Sequence, residues 1–263
     1  MTTVRPVDLV GAADVVWIVL DTLRFDVARD ELAAGRTPLL ASLVGDWEER
    51  HAPGTFTFAS HQAFFAGFEP TPLAGPHERL FALRFRGSLT TGARTAVFEA
   101  DSVPRGFAEA GYHTACIGGV GFFNPENPLG RVLPGHFTES HWARELGVTD
   151  PRSTEHQVAL ARQILDRTPG LTFLFLNVAA LHQPNRYYVD GAEDDCLATH
   201  AAALRYVDAA LAPLVATLRA RPRPTLLLLG SDHGTAYGEG GFVGHRVAHP
   251  VVTHVPWAET VLP

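Results

Sequence analysis

Polar side chains follow closely on three apolar runs of the sequence. The runs cover residues 15–20, 171–178 and 225–230, and the polar residues that follow them are Asp21, His182, Asp232 and His233. If the runs are parallel strands of an open sheet, their carboxyl ends lie at one edge, where such folds bind their ligands. Carboxylate and imidazole ligands together suit a divalent ion such as Zn²⁺ or Mn²⁺. We therefore expect a metal site at this edge.

Each of these residues also has an ordinary structural interpretation. An aspartate directly after a strand, such as Asp21, is often only a helix cap. The pair Asp232-His233 is also typical of a solvated loop, and a lone histidine such as His182 is often structural. Their predicted convergence at one edge of the sheet is what favours the metal site.

A fourth segment places a hydroxyl group at the predicted start of a helix. Thr57 follows the pair Pro53-Gly54 and directly precedes a helical pattern over residues 58–66. Free N–H groups and the helix dipole favour anions at such a position. A hydroxyl group that contacts a metal ion there becomes a nucleophile near neutral pH. Thr57 or Thr55 can equally be a simple helix cap, so the segment alone leaves both roles open.

The elements that must position these residues alternate along the chain. Predicted strands cover residues 15–20, 95–98, 113–117, 171–178 and 225–230. Predicted helices cover residues 38–44, 58–66, 104–110, 154–167 and 197–219, with loops at 69–75, 124–135 and 234–254. Nearly continuous apolar strands are typical of a sheet covered on both faces. The pattern predicts an α/β fold with a mostly parallel central sheet, helices on both faces, and one domain over residues 1–263.

Composition excludes several classes of function. Hydrophobic residues make up 46% of the chain and charged residues 19%, which suits a globular protein with a large core. The net charge is −7 and there is no basic run, so bulk nucleic acid is not expected as a partner. All 21 basic residues are arginine, which excludes Schiff-base lysines and a P-loop. The first apolar run is too short for a signal peptide or a membrane anchor, so a cytoplasmic location is expected.

The order of several motifs resembles the sulfatase-like enzymes of the alkaline phosphatase superfamily. The matching segments are 18–24 for the first metal-binding strand, 57–67 for the nucleophile segment, 110–114 for a Gly-Tyr-x-Thr strand, 182–184 for His-x-Pro, 206–211 for a helix before the last metal strand, and 231–239, 244–245 and 255–256 for the final block. The resemblance runs from about residue 15 to residue 257. It implies an alkaline-phosphatase-like fold.

The resemblance also implies roles for eight residues. The metal ion would be held by Asp21, Thr57, Asp232 and His233. Thr57 would also attack phosphorus or sulfur, and His182 and His245 would lie near the transferred group or its leaving oxygen. Arg24 and His61 are expected to contact the anion or to orient the metal ligands.

Departures from the family pattern shape the expected chemistry. Thr57 stands where sulfatases have a cysteine, so their formylglycine cannot form, and residues 118–121 (Gly-Gly-Val-Gly) replace the family's sulfate-binding Gly-Lys-x-His. Both changes favour phosphate esters over sulfate esters. Val178 stands where two-zinc relatives have an aspartate, so one Zn²⁺ or Mn²⁺ ion is expected, with a second ion as an alternative. The chain stops soon after Pro256, so a smaller C-terminal subdomain is not expected.

Three functions remain open at this stage. The leading hypothesis is metal-dependent hydrolysis of a small phosphate monoester or diester through a phosphothreonine intermediate on Thr57. The second is transfer of the same group to an alcohol, as in a mutase or in chemistry resembling that of lipoteichoic-acid and phosphoethanolamine transferases. The third is a non-catalytic domain that binds a metal ion or ligand. The substrate and the oligomeric state are not predicted.

Overall fold

The structure, a computed structural model, describes residues 6–67, 82–83, 97–98 and 102–263. Its strands are β1 (Asp14–Leu20), β2 (Glu48–His51), β3 (Ala82–Leu83), β4 (Val97–Phe98), β5 (His113–Ile117), β6 (Glu139–His141), β7 (Thr172–Val178), β8 (Thr225–Gly230), β9 (Ala236–Tyr237), β10 (Val243–Gly244) and β11 (His254–Leu262). Its α-helices are α1 (Phe25–Ala33), α2 (Pro38–Val44), α3 (Thr57–Ala66), α4 (Val103–Glu109), α5 (Ser153–Arg167), α6 (Leu197–Arg219) and α7 (Pro250–Thr253). The predicted loop at 69–75 and the first half of the predicted strand at 95–98 lie outside the described residues.

Seven strands form the central sheet, in the order β2-β11-β8-β1-β7-β5-β6. The five strands from β8 to β6 pair in parallel, whereas β11 pairs antiparallel with both β8 and β2. The predicted α/β fold with a mostly parallel sheet is therefore confirmed. Because β1, β7 and β8 are neighbours with the same direction, the segments that follow them emerge at one edge of the sheet.

Side chains of the central strand β1 alternate between two hydrophobic clusters. Val16, Ile18 and Leu20 belong to the cluster that contains residues of α1, α2, α5 and α6. Val15, Trp17 and Val19 belong to the other cluster, which is rich in aromatic residues and contains Phe58 and Phe65 of α3. Helices thus cover both faces, as a parallel sheet with continuous apolar strands requires.

Elements with little apolar character were missed by the sequence patterns. The strand β2 consists of Glu-Glu-Arg-His and is exposed throughout, because it lies at the edge of the sheet and pairs only with β11. The nine-residue strand β11 contains Pro256, and a proline argues against a strand assignment. Helix α1 buries only Val27, Ala28 and Glu31, which is too short a stripe to show helical periodicity.

Helix α6 is 23 residues long, and its mean hydropathy of 1.4 over an 18-residue window would permit a membrane span by length and composition alone. In the fold, Leu204, Val207 and Leu211 on one face are buried in the cluster between the sheet and the helices that cover it. The structure therefore accounts for the apolar character of α6 as that of a core helix.

Asp208 on α6 also caps a second helix. Its carboxylate accepts hydrogen bonds from the backbone N–H groups of Leu39 (3.2 Å) and Leu40 (2.7 Å) in the first turn of α2. The N-cap residue of α2, Thr37, supplies no side-chain hydrogen bond of its own. Asp208 thus satisfies two N–H groups that have no acceptor within α2.

We predict that Asp208→Ala lowers the free energy of unfolding by about 1–2 kcal/mol, because it removes a cap from a buried helix start. Denaturant unfolding followed by circular dichroism measures this change. Asp166→Ala, at an exposed position of α5, is the matched control and should change the free energy by less than about 0.5 kcal/mol. Equal effects of the two substitutions would contradict the capping role.

Candidate active site

Three predicted metal ligands meet at the carboxyl edge of the sheet. Ligand atoms of Asp21, Asp232 and His233 all lie within 4.8 Å of one another, and all three side chains are fully buried. Asp21 Oδ1 and Asp232 Oδ2 have no hydrogen-bond partner in the structure. Buried carboxylate oxygens without partners are costly, whereas a divalent cation would satisfy both. The donor set therefore fits a divalent metal ion.

Backbone groups orient the carboxylate of Asp232. Its Oδ1 accepts hydrogen bonds from the N–H groups of Thr22 (3.2 Å) and His233 (3.1 Å). Thr22 has a φ of +66°, so the chain turns sharply after β1 and brings its N–H group toward Asp232. The second oxygen, Oδ2, is left free for a ligand.

Asp21 and His233 are each oriented by one hydrogen bond. Asn177 of β7 donates from Nδ2 to Asp21 Oδ2 at 2.9 Å, which leaves Asp21 Oδ1 free. Nδ1 of His233 lies 2.9 Å from the carbonyl oxygen of Gly234, so it carries the proton and donates. Nε2 of His233 then presents a lone pair to the cluster, as a metal ligand must.

Thr57 is the first residue of α3 and lies against the same cluster. Its Oγ1 is 3.4 Å from Asp21 Oδ2 and 3.3 Å from His233 Nε2. The N-cap residue of α3 is Phe56, which supplies no side-chain hydrogen bond, so neither Thr57 nor Thr55 is a conventional cap. The first-turn N–H groups of α3 have no acceptor within the helix and point toward this region. A hydroxyl group and an anion-binding helix start thus coincide.

The neighbouring hydroxyl group of Ser60 has a different partner. Its Oγ donates to the backbone carbonyl oxygen of Asp232 at 2.6 Å, and the side chain is fully buried. Ser60 therefore fastens α3 to the loop after β8. It faces away from any substrate and holds Thr57 and Asp232 in register.

His61 lies behind the cluster, in an aromatic layer. Its Nδ1 donates to the carbonyl oxygen of Thr57 at 2.8 Å and lies 3.6 Å from Asp232 Oδ2. The ring packs edge-on against Phe65, Phe123 and two further phenylalanines. Burial lowers the pKa of His61 to about 3, so the ring is neutral. This placement suits orientation of Thr57 better than the predicted contact with an anion, which stays a prediction.

Arg24 is engaged by carboxylates of the protein itself. Its guanidinium group pairs with Asp26 (2.6 Å) and Glu239 (2.5 Å) and donates to the carbonyl oxygen of Thr235. Only 3% of the Arg24 side chain is exposed. Arg24 thus ties the turn after β1 to the loop after β8, and its charge is already balanced there. The predicted contact of Arg24 with a substrate anion remains untested.

A cavity of about 440 Å³ opens beside Thr57. Its polar lining residues are Thr57, Asn127, His182, His245 and Arg246. Its apolar wall is lined by Val120, Phe122, Leu129 and Val148. The ring of His245 lies 5.2 Å from that of His182 and 4.7 Å from that of His233, measured between centroids. The two histidines predicted near the transferred group therefore lie together beside Thr57.

Burial dominates the electrostatics of the site. It raises the pKa values of both Asp21 and Asp232, that of Asp232 to about 7, and the charge of Asp232 raises that of Asp21 further. Burial, followed by the charges of His233 and His182, lowers the pKa of His245 to about 3. Without a metal ion, the two carboxyl groups thus retain protons up to near neutral pH, while His245 is a neutral base.

The comparisons with known proteins establish the family and the fold. The sequence model of the sulfatase family matches residues 13–256. This chain belongs to the sulfatase family. It has the alkaline-phosphatase-like α/β fold of that superfamily, as the sequence predicted. No curated protein sequence matches the chain.

Similar solved structures share this fold at low sequence identity. The C-terminal periplasmic domain of phosphoethanolamine transferase EptC from Campylobacter jejuni superposes with a TM-score of 0.67 at 15% identity, covering 95% of this chain and 79% of that one. The integral membrane phosphoethanolamine transferase EptA from Neisseria meningitidis gives 0.66 at 18% identity, with 98% of this chain and 49% of that chain covered. The corresponding EptC domain from Escherichia coli, in complex with Zn, gives 0.65 at 13% identity, with 94% and 72% covered.

Two residues of the sulfatase-family site were missed by sequence reasoning. Asn177 joins Asp21 to the loop after β5, since its Oδ1 accepts hydrogen bonds from the N–H groups of Gly119 and Val120. An amide side chain near the end of the apolar run at 171–178 was the signal for it. Arg246 lines the cavity next to His245, but nothing in its local sequence distinguishes it from the other arginines.

We predict that the metal-binding carboxylates make folding depend on pH. A folded-state pKa of Asp232 near 7, against an unfolded value of about 4, means that the metal-free folded state binds more protons between these pH values. The contribution of Asp232 to the free energy of unfolding therefore falls as pH rises from about 4 to 7. The lowered pKa values of buried His61 and His200 and of half-buried His245 give the opposite slope, so the quantity to measure is a difference between variants.

The measurement is urea unfolding of the wild type and Asp232→Asn, at several pH values, with chelator and with Zn²⁺. In chelator, Asp232→Asn should gain stability relative to the wild type from pH 5 to pH 8, on the order of 2 kcal/mol. Zn²⁺ should stabilise the wild type and leave Asp232→Asn nearly unchanged. Asp194→Asn, on an exposed loop, is the control. A pH-independent difference, or equal stabilisation of Asp232→Asn by Zn²⁺, would show that Asp232 is not a ligand.

Proposed function

We propose that this chain transfers a phosphoryl or substituted phosphoryl group from an ester donor through a covalent intermediate on Thr57. The observation that carries the proposal is the position of Thr57 Oγ1, at the start of α3 and within 3.4 Å of Asp21 and His233. A hydroxyl group at an anion-binding helix start, beside free metal-ligand atoms, has what a nucleophile of this kind needs.

The final acceptor in our proposal is an alcohol, with hydrolysis by water as the second candidate. Support for an alcohol comes from the names of the similar structures, since both EptC and EptA are phosphoethanolamine transferases. The cavity of about 440 Å³ beside Thr57 gives an organic acceptor room to approach. Hydrolysis would need only a water molecule at the same place.

The proposed metal site consists of Asp21, Thr57, Asp232 and His233, and the ion is Zn²⁺ or Mn²⁺. A divalent ion bound there lowers the pKa of the threonine hydroxyl group and neutralises charge on the transferred group. Mixed carboxylate and imidazole donors suit both ions. The zinc complex of the EptC domain from Escherichia coli supports zinc by similarity of fold.

The chain's own residues account for the two transfer steps. Thr57, having lost its hydroxyl proton to solvent, forms an Oγ–P bond while the bond from phosphorus to the donor oxygen breaks. His182, which lines the same cavity, gives that leaving oxygen a proton. The acceptor hydroxyl group then attacks phosphorus, the Oγ–P bond breaks, and neutral His245 takes the acceptor's proton. Thr57 leaves as the alkoxide and regains a proton from solvent, and proton exchange with solvent returns a proton to His182 and removes one from His245.

We predict that Thr57→Ala lowers turnover of an aryl phosphate ester by at least about a thousand-fold, because no other side chain can replace the covalent step. Thr57→Ser should keep measurable activity, since it keeps the hydroxyl group. Steady-state kinetics of the folded, metal-loaded variants measure both. Mass spectrometry of quenched wild-type reactions should find the transferred group on the peptide that contains Thr57.

The neighbouring hydroxyl groups supply the controls. Thr55→Ala should stay within a few-fold of wild-type turnover, because the Thr55 side chain neither caps α3 nor lines the cavity. Ser60→Ala should be intermediate, since it loosens Asp232 without removing the nucleophile. Near-wild-type turnover by Thr57→Ala would end the proposal. Bound metal without turnover of any ester by the wild type would instead favour a non-catalytic metal-binding domain.

We predict that aryl phosphate esters turn over faster than aryl sulfate esters. The reason is that Thr57 replaces the cysteine from which sulfatases form formylglycine, and that residues 118–121 lack the family's sulfate-binding lysine and histidine. Parallel assays with phenyl phosphate and phenyl sulfate, each with and without added alcohols, measure the preference. Faster cleavage of the sulfate ester would reverse the predicted preference. Formation of free phosphate alone, with no phosphate ester of the added alcohol, would favour hydrolysis over transfer.

A further inference from the structure

Arg246 is the one permanently charged side chain among the described residues that line the cavity. It is exposed to the cavity and the solvent, and no carboxylate of the described chain lies within ion-pair distance of it. In this it differs from Arg24, whose charge is balanced by Asp26 and Glu239. The guanidinium charge of Arg246 is therefore not balanced by a carboxylate of the described residues.

The backbone of Arg246 is attached to the segment that carries the nucleophile. Its N–H group donates to the carbonyl oxygen of Thr55 at 2.8 Å. Its guanidinium carbon lies 5.1 Å from the centroid of the Phe56 ring, a distance at which cation and ring attract each other. Arg246 also has a φ of +72°, which an arginine adopts only where the surroundings require it. Its position relative to Thr57 is therefore set by direct contacts.

The reaction needs a cation at this place. A metal ion on Asp21 and Asp232 is largely balanced by those two carboxylates, so the anionic oxygens of an ester need further donors. The glycine-rich segment 118–121 supplies no charged side chain. Val120, Leu129 and Val148 make part of the cavity lining apolar. The anionic oxygens of an ester are therefore expected to lie against the polar lining residues.

We propose that Arg246 binds the anionic oxygens of the phosphate ester during transfer to and from Thr57. This inference rests on the proposed function, since the ester must react at Thr57. A guanidinium group can bind two phosphate oxygens at once with a fixed geometry, which a lysine cannot do equally well. Arg246 would thus supply, from the loop after β8, the positive charge that the loop after β5 lacks.

The test compares Arg246→Gln, Arg246→Lys and the wild type, all loaded with Zn²⁺. Inorganic phosphate is titrated by calorimetry, and kcat and KM are measured for p-nitrophenyl phosphate. Arg246→Gln should raise both the phosphate Kd and KM by about 10- to 100-fold, as expected for loss of a charge-assisted bidentate contact. Arg246→Lys should recover part of the binding, because lysine keeps the positive charge but lacks the paired N–H donors of the guanidinium group.

Arg144→Gln is the matched control, because Arg144 is exposed and lies outside the residues that line the cavity. Its phosphate Kd should equal that of the wild type. A phosphate Kd and KM of Arg246→Gln within about twofold of the wild type would overturn the inference, as would an equal loss in Arg144→Gln. Loss of bound zinc from Arg246→Gln, by elemental analysis, would also overturn it, since the effect would then act through the metal.

Thr57→Ala separates this inference from the function on which it rests. That variant should bind phosphate with nearly the wild-type Kd while losing turnover. If it keeps turnover, the nucleophile assignment fails, yet a weakened phosphate Kd in Arg246→Gln would still show that Arg246 binds the anion. If it loses turnover while Arg246→Gln binds phosphate normally, the proposed function stands and the role of Arg246 is wrong.

Discussion

The enclosed carboxylates of Asp21 and Asp232 impose the constraint on which the site depends. Each is fully buried, and each has one oxygen without any hydrogen-bond partner. Two ionised carboxylates in so small a volume repel each other and have lost their hydration, which costs several kcal/mol each unless a cation is present. The raised pKa values of both groups express the same cost. Protons or a bound cation would each remove this cost.

The fold is arranged to hold this unfavourable cluster in place. Three adjacent parallel strands end at the same edge, so Asp21, Asn177 and Asp232 approach one another through backbone geometry alone. Beneath them lies the closely packed aromatic layer around His61, and His61 donates a hydrogen bond to the carbonyl oxygen of Thr57 from that side. Strong packing below and fixed backbone donors beside the carboxylates preorganise the ligands, as catalytic sites require.

Sequence patterns predicted those elements of the fold that have a long or regular hydrophobic pattern. The continuous apolar strands and the amphipathic helix α6 are long or regular enough to identify, and the polar residues that follow the strands indicated the metal cluster. The edge strand β2 carries no apolar signal, because all four of its side chains are exposed. The ion-pair partners of the arginines could not be predicted from the sequence either, since Arg24 and Arg246 are the same residue type. Whether an arginine is neutralised depends on residues such as Glu239, which are distant in sequence.

The two arginines together explain why the loop after β8 has a defined conformation. Arg24, buried beside the turn after β1, fixes Glu239 at one end of the segment. The N–H group of Arg246 fixes the other end to Thr55, which lies two residues before the nucleophile. His245 lies between these two anchored positions, and its ring packs against those of His182 and His233. A loop whose only strands are two short ones can in this way hold His245 and Arg246 in defined positions, because its two anchors lie next to Asp21 after β1 and next to Thr57 at the start of α3.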